Sequence, residues 1–511
     1  MTFVNFLKGK SETIIMYSYS IIIGCYLTYI IEYRGITHNE EKLWIIATAL
    51  VTVILPTVYV LTKKANDIKK YAIFLATIGL LITFVNAPFC TPDEPSHFAR
   101  VYEISEGKII SGTNEDGRPE IRLPEGVYNG ISKMDVENST YHDVIGLSEI
   151  SNNRENNRKP YYTAASLYAP IVYMPQAVGV FLARLFSSNV LCYLYVARIM
   201  NMLVGVALLT LAMCNAKELK NYIFAISIIP MVVHLLGSVA PDVTMLSTII
   251  LFVSIVINKR YYEQSPLSTK EKIALIMLCL IISTFKIVYI PILLTILLIP
   301  ADRFYGFKAK CRFVGVLACA CAIVGFGWYF YSMTYKVVWP DCVNVSDQFR
   351  FIAENPHYVV YIMERTFSDY SLTYVVQMFG GHLNWLNVAI PSYLIVAFIV
   401  FFMWAMIVDD GHKIESKRTD KALVWFVVLA VVLGISMSLY MSWTEVGAPI
   451  ISGIQGRYFL PLLILLPILI GRSGTANKPY REVSQPMSKF FVFLYVPVLL
   501  ILVFNNMSRG F

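Results

Sequence analysis

Ala165-Ser-Leu-Tyr-Ala-Pro-Ile-Val-Tyr-Met-Pro-Gln-Ala-Val-Gly-Val-Phe-Leu-Ala-Arg-Leu-Phe-Ser187 is the stretch on which the fold turns, because counting it as a membrane crossing reverses the side of every later loop. Tyr168, Pro170, Tyr173 and Pro175 interrupt it. Proline removes an N–H and crowds the preceding helical turn, and tyrosine collects at membrane–water interfaces. Charge parity tests the choice. If 165–187 crosses, then Lys217 and Lys220, and after them Lys259, Arg260, Lys270 and Lys272, fall outside, against the rule that basic loops stay in the cytoplasm. If it lies on or dips into the outer leaflet, those residues are cytoplasmic. So are Arg303, Lys308, Lys310 and Arg312, then Lys413, Lys417, Arg418 and Lys421, then Arg472, Lys478 and Arg481, provided 272–300 folds as a hairpin of two short helices. The non-crossing reading is therefore expected.

The surrounding chain is a bilayer sequence. Of its 511 residues 57% are hydrophobic and only 15% charged, and the mean hydropathy is +0.60, which excludes a soluble multidomain enzyme. Apolar runs long enough for roughly 30 Å of hydrocarbon recur at 14–32, 43–62, 71–87, 191–213, 221–239, 243–258, 272–284, 287–300, 312–333, 387–407, 421–440, 457–471 and 488–506. That predicts an all-α polytopic membrane protein of about 13 transmembrane helices. The first run is expected to be a retained helix, being too long for a signal peptide and lacking a small-residue cleavage site. The 42 basic residues exceed the 34 acidic ones, but they gather in short loops beside apolar runs. Such clustering reports topology and gives no reason to expect nucleic acid. Nine cysteines carry no C-x-x-C spacing, and only Cys90 and Cys342 are expected outside, where a bond between them is open.

Lys8, Lys10, Lys63, Lys64, Lys69 and Lys70 set the first loops inside, so 88–190, 334–386 and 441–456 face outward. The first of these opens with Cys90-Thr-Pro-Asp-Glu-Pro-Ser-His-Phe-Ala-Arg100. Pro95 suits a first helical turn, which predicts Glu94 as its cap, Asp93 just before it, and His97 and Arg100 close by. Either carboxylate can take the proton of an attacking hydroxyl, or both simply cap a helix that Arg100 neutralises. Asp93, Glu94 and Asp242 also offer the oxygen ligands that a divalent cation such as Mg or Mn prefers. Gly453-Ile-Gln-Gly-Arg-Tyr-Phe459 begins a span at its outer end, placing Gln455, Arg457 and Tyr458 at the level of lipid phosphates. Arg457 either grips a phosphate with its fork or snorkels to orient the helix. Lys286, at the tip of the 272–300 hairpin, and Asp242, between two apolar runs, carry the same two readings of phosphate or acidic site against snorkelling or helix cap. Gly380-Gly-His-Leu-Asn-Trp385 suits either sugar stacking or an aromatic belt. No Walker motif, intramembrane acidic series or internal repeat is present to suggest a pump or coupled transporter.

Pro92-Asp-Glu-Pro95 with His97 and Arg100, Tyr168-Ala-Pro170 with Pro175-Gln176, then Asp242, Lys286 with Tyr289 and Pro291, and Gly453-x-Gln-Gly-Arg-Tyr458 together resemble, over about residues 80 to 470, a family of bacterial membrane proteins of unassigned function. That family is similar to the GT-C glycosyltransferases. The resemblance implies a GT-C-like bundle with extracytoplasmic interfacial helices, in which 1–70 supplies extra N-terminal helices, 71–340 the catalytic module and 341–511 the C-terminal helices. It implies an enzyme of the cell membrane that transfers sugar from a polyprenyl-phosphate carrier to a cell-surface glycan on the extracytoplasmic side. Asp93 or Glu94 would be the catalytic carboxylate and Arg457 with Lys286 would hold the carrier phosphate. His97, Arg100, Asp242, Gln455 and Tyr458 would line the substrates. GT-C enzymes usually carry the acidic loop after their first span, whereas here it follows the third, so the role of 14–62 stays open. The rival readings are a transporter or flippase of lipid-linked saccharides, and a polymerase or ligase of lipid-linked oligosaccharides.

Overall fold

The computed structural model describes residues 65–133, 147, 150, 157–336, 343–386, 388–406 and 414–471. The expected spans 14–32, 43–62 and 488–506, and Cys342 of the open cysteine pair, lie outside these residues.

The protein is mostly helical. Among the described residues four helices are long and apolar enough to cross a membrane, Val190–Asn215, Asp242–Tyr262, Phe307–Ser332 and Arg418–Ser442. A fifth crossing arises if Lys217–Ser227 and Pro230–Leu236, bent by 79°, count as one broken span. The expected 221–239 span is thus split at Pro230, whose ring cannot continue the preceding helix. Asp242–Ile257 is buried on every side, as a helix apolar all round must be. Phe307–Ser332 and Arg418–Ser442 instead expose Ile323, Phe326 and Phe330, and Trp425, Phe426 and Leu429. Hydrocarbon is the medium that suits such faces.

Helix α1 (Asp67–Val85) starts where the Asn66 side chain accepts from the Lys69 amide. It packs against α5 (Val190–Asn215). Lys220 Nζ lies 3.1 Å from Asp67 Oδ2, so the start of α1 adjoins the end of α5. Arg198, early in α5, donates to the carbonyls of Thr83 and Asn86 at the end of α1. The two helices are therefore antiparallel, and the chain between them leaves and re-enters the bundle at one end. That intervening segment holds α2 (Glu94–Ser105), an antiparallel three-stranded sheet of β1 (Gly112–Thr113), β2 (Pro119–Pro124) and β3 (Arg158–Tyr162), and α3 (Glu125–Lys133). The sheet is an addition to the all-α expectation. The segment closes with α4 (Met174–Phe186), which runs too short at about 20 Å to span the bilayer.

The same end of the bundle receives the start of α8 (Asp242–Ile257) after the bent pair α6 (Lys220–Ser227) and α7 (Pro230–Leu236). Next come α9 (Thr269–Ser283) and a 3-10 helix, Ile287–Leu298. The Leu267 amide donates to the Arg303 carbonyl at 2.8 Å, so these two segments form a closed hairpin with Lys286 at its tip. Fifteen α-residues rise about 22 Å and twelve 3-10 residues about 24 Å, which lets the two legs match. After α10 (Phe307–Ser332), α11 (Val345–Glu354), α12 (Tyr358–Met378), a hairpin of β4 (His382–Leu383) and β5 (Val388–Ala389), and α13 (Ser392–Trp404), the chain runs through α14 (Arg418–Ser442) into another long 3-10 helix, Gly456–Leu465. The cations Lys220, Lys259, Arg260 and Lys310 sit at the opposite end from Asp242 and Lys286, where Arg260 grips Asp420 and Lys259 pairs with Glu263 and Glu271.

Candidate functional site

The Pro-Asp-Glu-Pro corner separates its two carboxylates. Asp93 is the N-cap of α2 and holds a left-handed backbone (φ 59°), so the cap falls one residue earlier than Glu94, where the sequence reading put it. A left-handed non-glycine residue is uncommon, and Asp is among the types that tolerate it. The turn directs Glu94 inward and leaves Asp93 half-exposed. Glu94 accepts from Arg198 Nε (2.8 Å) and Nη2 (2.6 Å), and its Oε1 also accepts from the Val239 amide (3.0 Å). Arg198 spends its remaining donors on the carbonyls of Thr83, Asn86 and Ala87. Glu94 therefore bolts the first loop to α1, α5 and the turn before α8. Arg198 had escaped the sequence reading, although an arginine eight residues into an apolar helix is itself the signal of a buried partner.

Asp93 faces other groups. Its Oδ2 accepts from Arg457 Nη2 at 3.2 Å. Lys286 Nζ lies 3.9 Å from Asp242 Oδ1, 4.8 Å from the Tyr458 ring and 5.5 Å from that of Tyr168. Asp242 is the first residue of α8, preceded by Pro241 at the cap. Asp93, Asp242, Lys286 and Arg457 thus stand at the N-termini of α2, α8 and the two 3-10 helices, so four ends rich in unpaired N–H groups and positive dipole converge on one volume. The Tyr289 hydroxyl donates to the Tyr458 carbonyl at 3.0 Å and ties the two 3-10 helices together.

Arg457 is 6% exposed, yet its Nε and Nη1 donate to none of the described residues. A buried guanidinium left with idle donors is costly, and an anion relieves it. The turn that presents it is tightly built. Gly453 takes φ +80°, and at Gly456 a Cβ would lie 2.1 Å from the Tyr374 carbonyl oxygen, so only glycine brings this strand of backbone against α12. The Gly456 amide donates to Gln377 Oε1, a partner the motif did not reveal. Gln455 caps the 3-10 helix by position, without a side-chain bond to it.

His97 is buried in the same cluster. Its Nδ1 lies 2.7 Å from the Tyr173 hydroxyl, and its ring meets Tyr168 edge-on. Burial pushes the imidazole down to about 4 despite the pull of Asp93 and Asp242, so it is neutral near pH 7. Arg100 is not part of the cluster. It is fully buried and donates to Glu103, Ser111 and the Ile109 carbonyl, which fastens the loop after α2. Trp385 is partly exposed on the hairpin after α12.

An apolar cleft of about 370 Å³ opens beside Lys286, lined by Tyr168, Phe285, Val288, Phe326, Tyr329 and Leu439 among others. Its wall includes the outward-facing side of α10, so it communicates with the hydrocarbon-facing surface. The residues do not fit the divalent-cation reading. Among the described residues no three His, Cys, Asp or Glu side chains gather to hold a metal ion, because Arg198 occupies both oxygens of Glu94 and the cations Arg457 and Lys286 stand against Asp93 and Asp242.

A cationic pocket with idle donors, a half-exposed carboxylate beside it and an apolar cleft leading away can together hold an amphiphilic anion and receive a proton. The model of a family described as "Predicted membrane protein (DUF2142)" matches residues 75–466. No curated protein and no solved structure matches the chain.

Proposed function

The chain belongs to this DUF2142 family of predicted membrane proteins, and from the geometry of its site we propose that it is a membrane glycosyltransferase that moves a sugar from a polyprenyl-phosphate carrier to a cell-surface glycan acceptor on the extracytoplasmic side. The observation that carries this reading is Arg457, buried, aimed at Asp93 and left with two idle donors. The basic residues at the opposite end of the bundle support an outward-facing site, and the described helices then form part of a larger GT-C-like bundle.

In the reaction the carrier phosphate takes up Nε and Nη1 of Arg457 and approaches Lys286, while its prenyl chain leaves through the apolar cleft. Phosphate competes with Asp93 for Nη2 of Arg457, which releases Asp93 Oδ2 toward the acceptor. The acceptor oxygen bonds to the anomeric carbon as the bond from that carbon to the phosphate oxygen breaks. Asp93 takes the hydroxyl proton, and the phosphate leaves with the electron pair, its new charge met by the guanidinium, the ammonium and the helix N-termini. Neutral His97 holds Tyr173 and walls the pocket. The test is to present the purified full-length protein in lipid with a panel of polyprenyl-phosphate monosaccharides and to score release of polyprenyl phosphate together with a new glycosidic bond.

A further inference from the structure

A second groove, remote from Asp93 in composition and purpose, runs between α4 and the loop after α2. Helix α4 buries Gln176, Ala177, Gly179, Val180 and Ala183 against α2 and α5. Its other face, Met174, Val178, Phe181, Leu182 and Leu185, is exposed and apolar, with Ile171 just ahead. The loop after α2 adds Ile109 and Ile110, more than half exposed at its tip. A stripe of this kind on a helix too short to span marks a surface that rests in a leaflet.

The rim of the groove is cationic. Glu106 is encircled by Arg158, which reaches it with two donors at 2.6 and 2.8 Å, by Arg184 at 3.6 Å and by Lys108 at 3.8 Å. Among the described residues, Glu106 is the carboxylate that these three cations share, and Lys108, half-exposed, reaches it only at 3.8 Å. We propose that this groove holds an anionic phospholipid of the surrounding leaflet, its phosphate at Lys108 and Arg158 and an acyl chain along Ile109, Val178, Phe181 and Leu185. Charge complementarity argues for that occupant: a zwitterionic lipid brings no net charge to the rim, and a soluble anion leaves the apolar stripe uncovered. The site is independent of sugar transfer, since none of these residues belongs to the Arg457 cluster.

The experiment uses the full-length protein, delipidated in a neutral detergent, and counts retained phosphatidylglycerol against phosphatidylcholine of the same chain length by native mass spectrometry. Wild type is expected to prefer phosphatidylglycerol. Lys108→Gln and Arg158→Gln should each cut that preference about fivefold, while Lys308→Gln at an exposed position of α10 leaves it unchanged. Phe181→Ser with Leu185→Ser should weaken both lipids alike. Lys108→Gln breaks only one long contact, so it keeps the test decisive if Arg158→Gln fails to fold. Equal retention of the two lipids by wild type overturns the proposal, as does a preference that survives Lys108→Gln. Displacement of phosphatidylglycerol by polyprenyl phosphate from wild type, and its loss in the Lys108→Gln variant, would reassign the groove to a lipid-linked substrate and equally overturn it.

Discussion

Glu94 and Arg198 form a two-bond ion pair in which neither side chain is exposed, directly beside a carboxylate, Asp93, whose own side chain is half-exposed. Adjacent acids thus have separate tasks, one structural and one facing the pocket. Glu94→Gln leaves the Arg198 charge buried and uncompensated, a loss of about 3 to 5 kcal/mol in comparable pairs. Thermal unfolding in detergent should show a much lower midpoint for Glu94→Gln, whereas Asp93→Asn should unfold within a few degrees of wild type.

Burial of His97 makes stability depend on acid. In the unfolded chain the imidazole titrates near its ordinary 6.5 and in the folded protein near 4. Between those values the unfolded state binds the extra proton, so the stability contributed by keeping the ring neutral is complete above about pH 6.5, declines as pH falls toward 4 and changes no further below it. Denaturant midpoints measured from pH 7 to 4 should therefore fall more steeply in wild type than in His97→Asn. Asp93, Asp242, Lys286 and Arg457 face the ring and remain in both proteins, so the difference between the two curves isolates His97.

Arg457 should matter as a fork and not merely as a charge. Lysine at this position keeps the cation but cannot supply Nε and Nη1 together. Each hydrogen bond to a charged group is worth about 1.5 to 3 kcal/mol, so Arg457→Lys should weaken binding of polyprenyl phosphate by about tenfold to a hundredfold. Titration of the short-chain carrier into protein in nanodiscs checks this. An affinity equal to that of wild type would remove Arg457 from the phosphate site.

Gly456→Ala tests the turn that presents Arg457. The new methyl meets the Tyr374 carbonyl and the Met378 amide, both backbone, which cannot move aside as a side-chain end can. Overpacking of this kind costs about 1 to 3 kcal/mol or more. The expected result is a lowered unfolding midpoint together with weaker carrier binding, while Gly327→Ala, where nothing lies within 4 Å, leaves both unchanged.

Much of the cluster was legible in the sequence because a charged residue in an apolar run is expensive unless it has a partner. That rule singled out Lys286, while Asp242 stood out by its place between two apolar runs and Arg457 by its place at the outer end of a span; Arg198, to which the rule applies equally, was not picked out. Asp93 and Glu94 could not be told apart, since their roles follow from one left-handed backbone turn and from a guanidinium about a hundred residues later in the chain. Arg100 resembled a site residue by spacing, but its direction was set by Glu103 and Ser111. The two 3-10 helices were invisible too. The run containing Pro291 reads as one short leg of a hairpin and the run containing Pro461 as a span, and only the assembled hairpin shows how the longer 3-10 rise lets its two legs match.

The most direct measurement compares wild type and Asp93→Asn in lipid nanodiscs with a matched polyprenyl-phosphate monosaccharide and glycan acceptor, following both carrier binding and transfer. The account predicts that the variant folds and binds the carrier at least as tightly as wild type, because Arg457 loses its internal rival, yet forms no glycosidic bond. Transfer at the wild-type rate by Asp93→Asn would contradict it, and so would movement of the intact carrier across the membrane by a wild type that never breaks the sugar–phosphate bond.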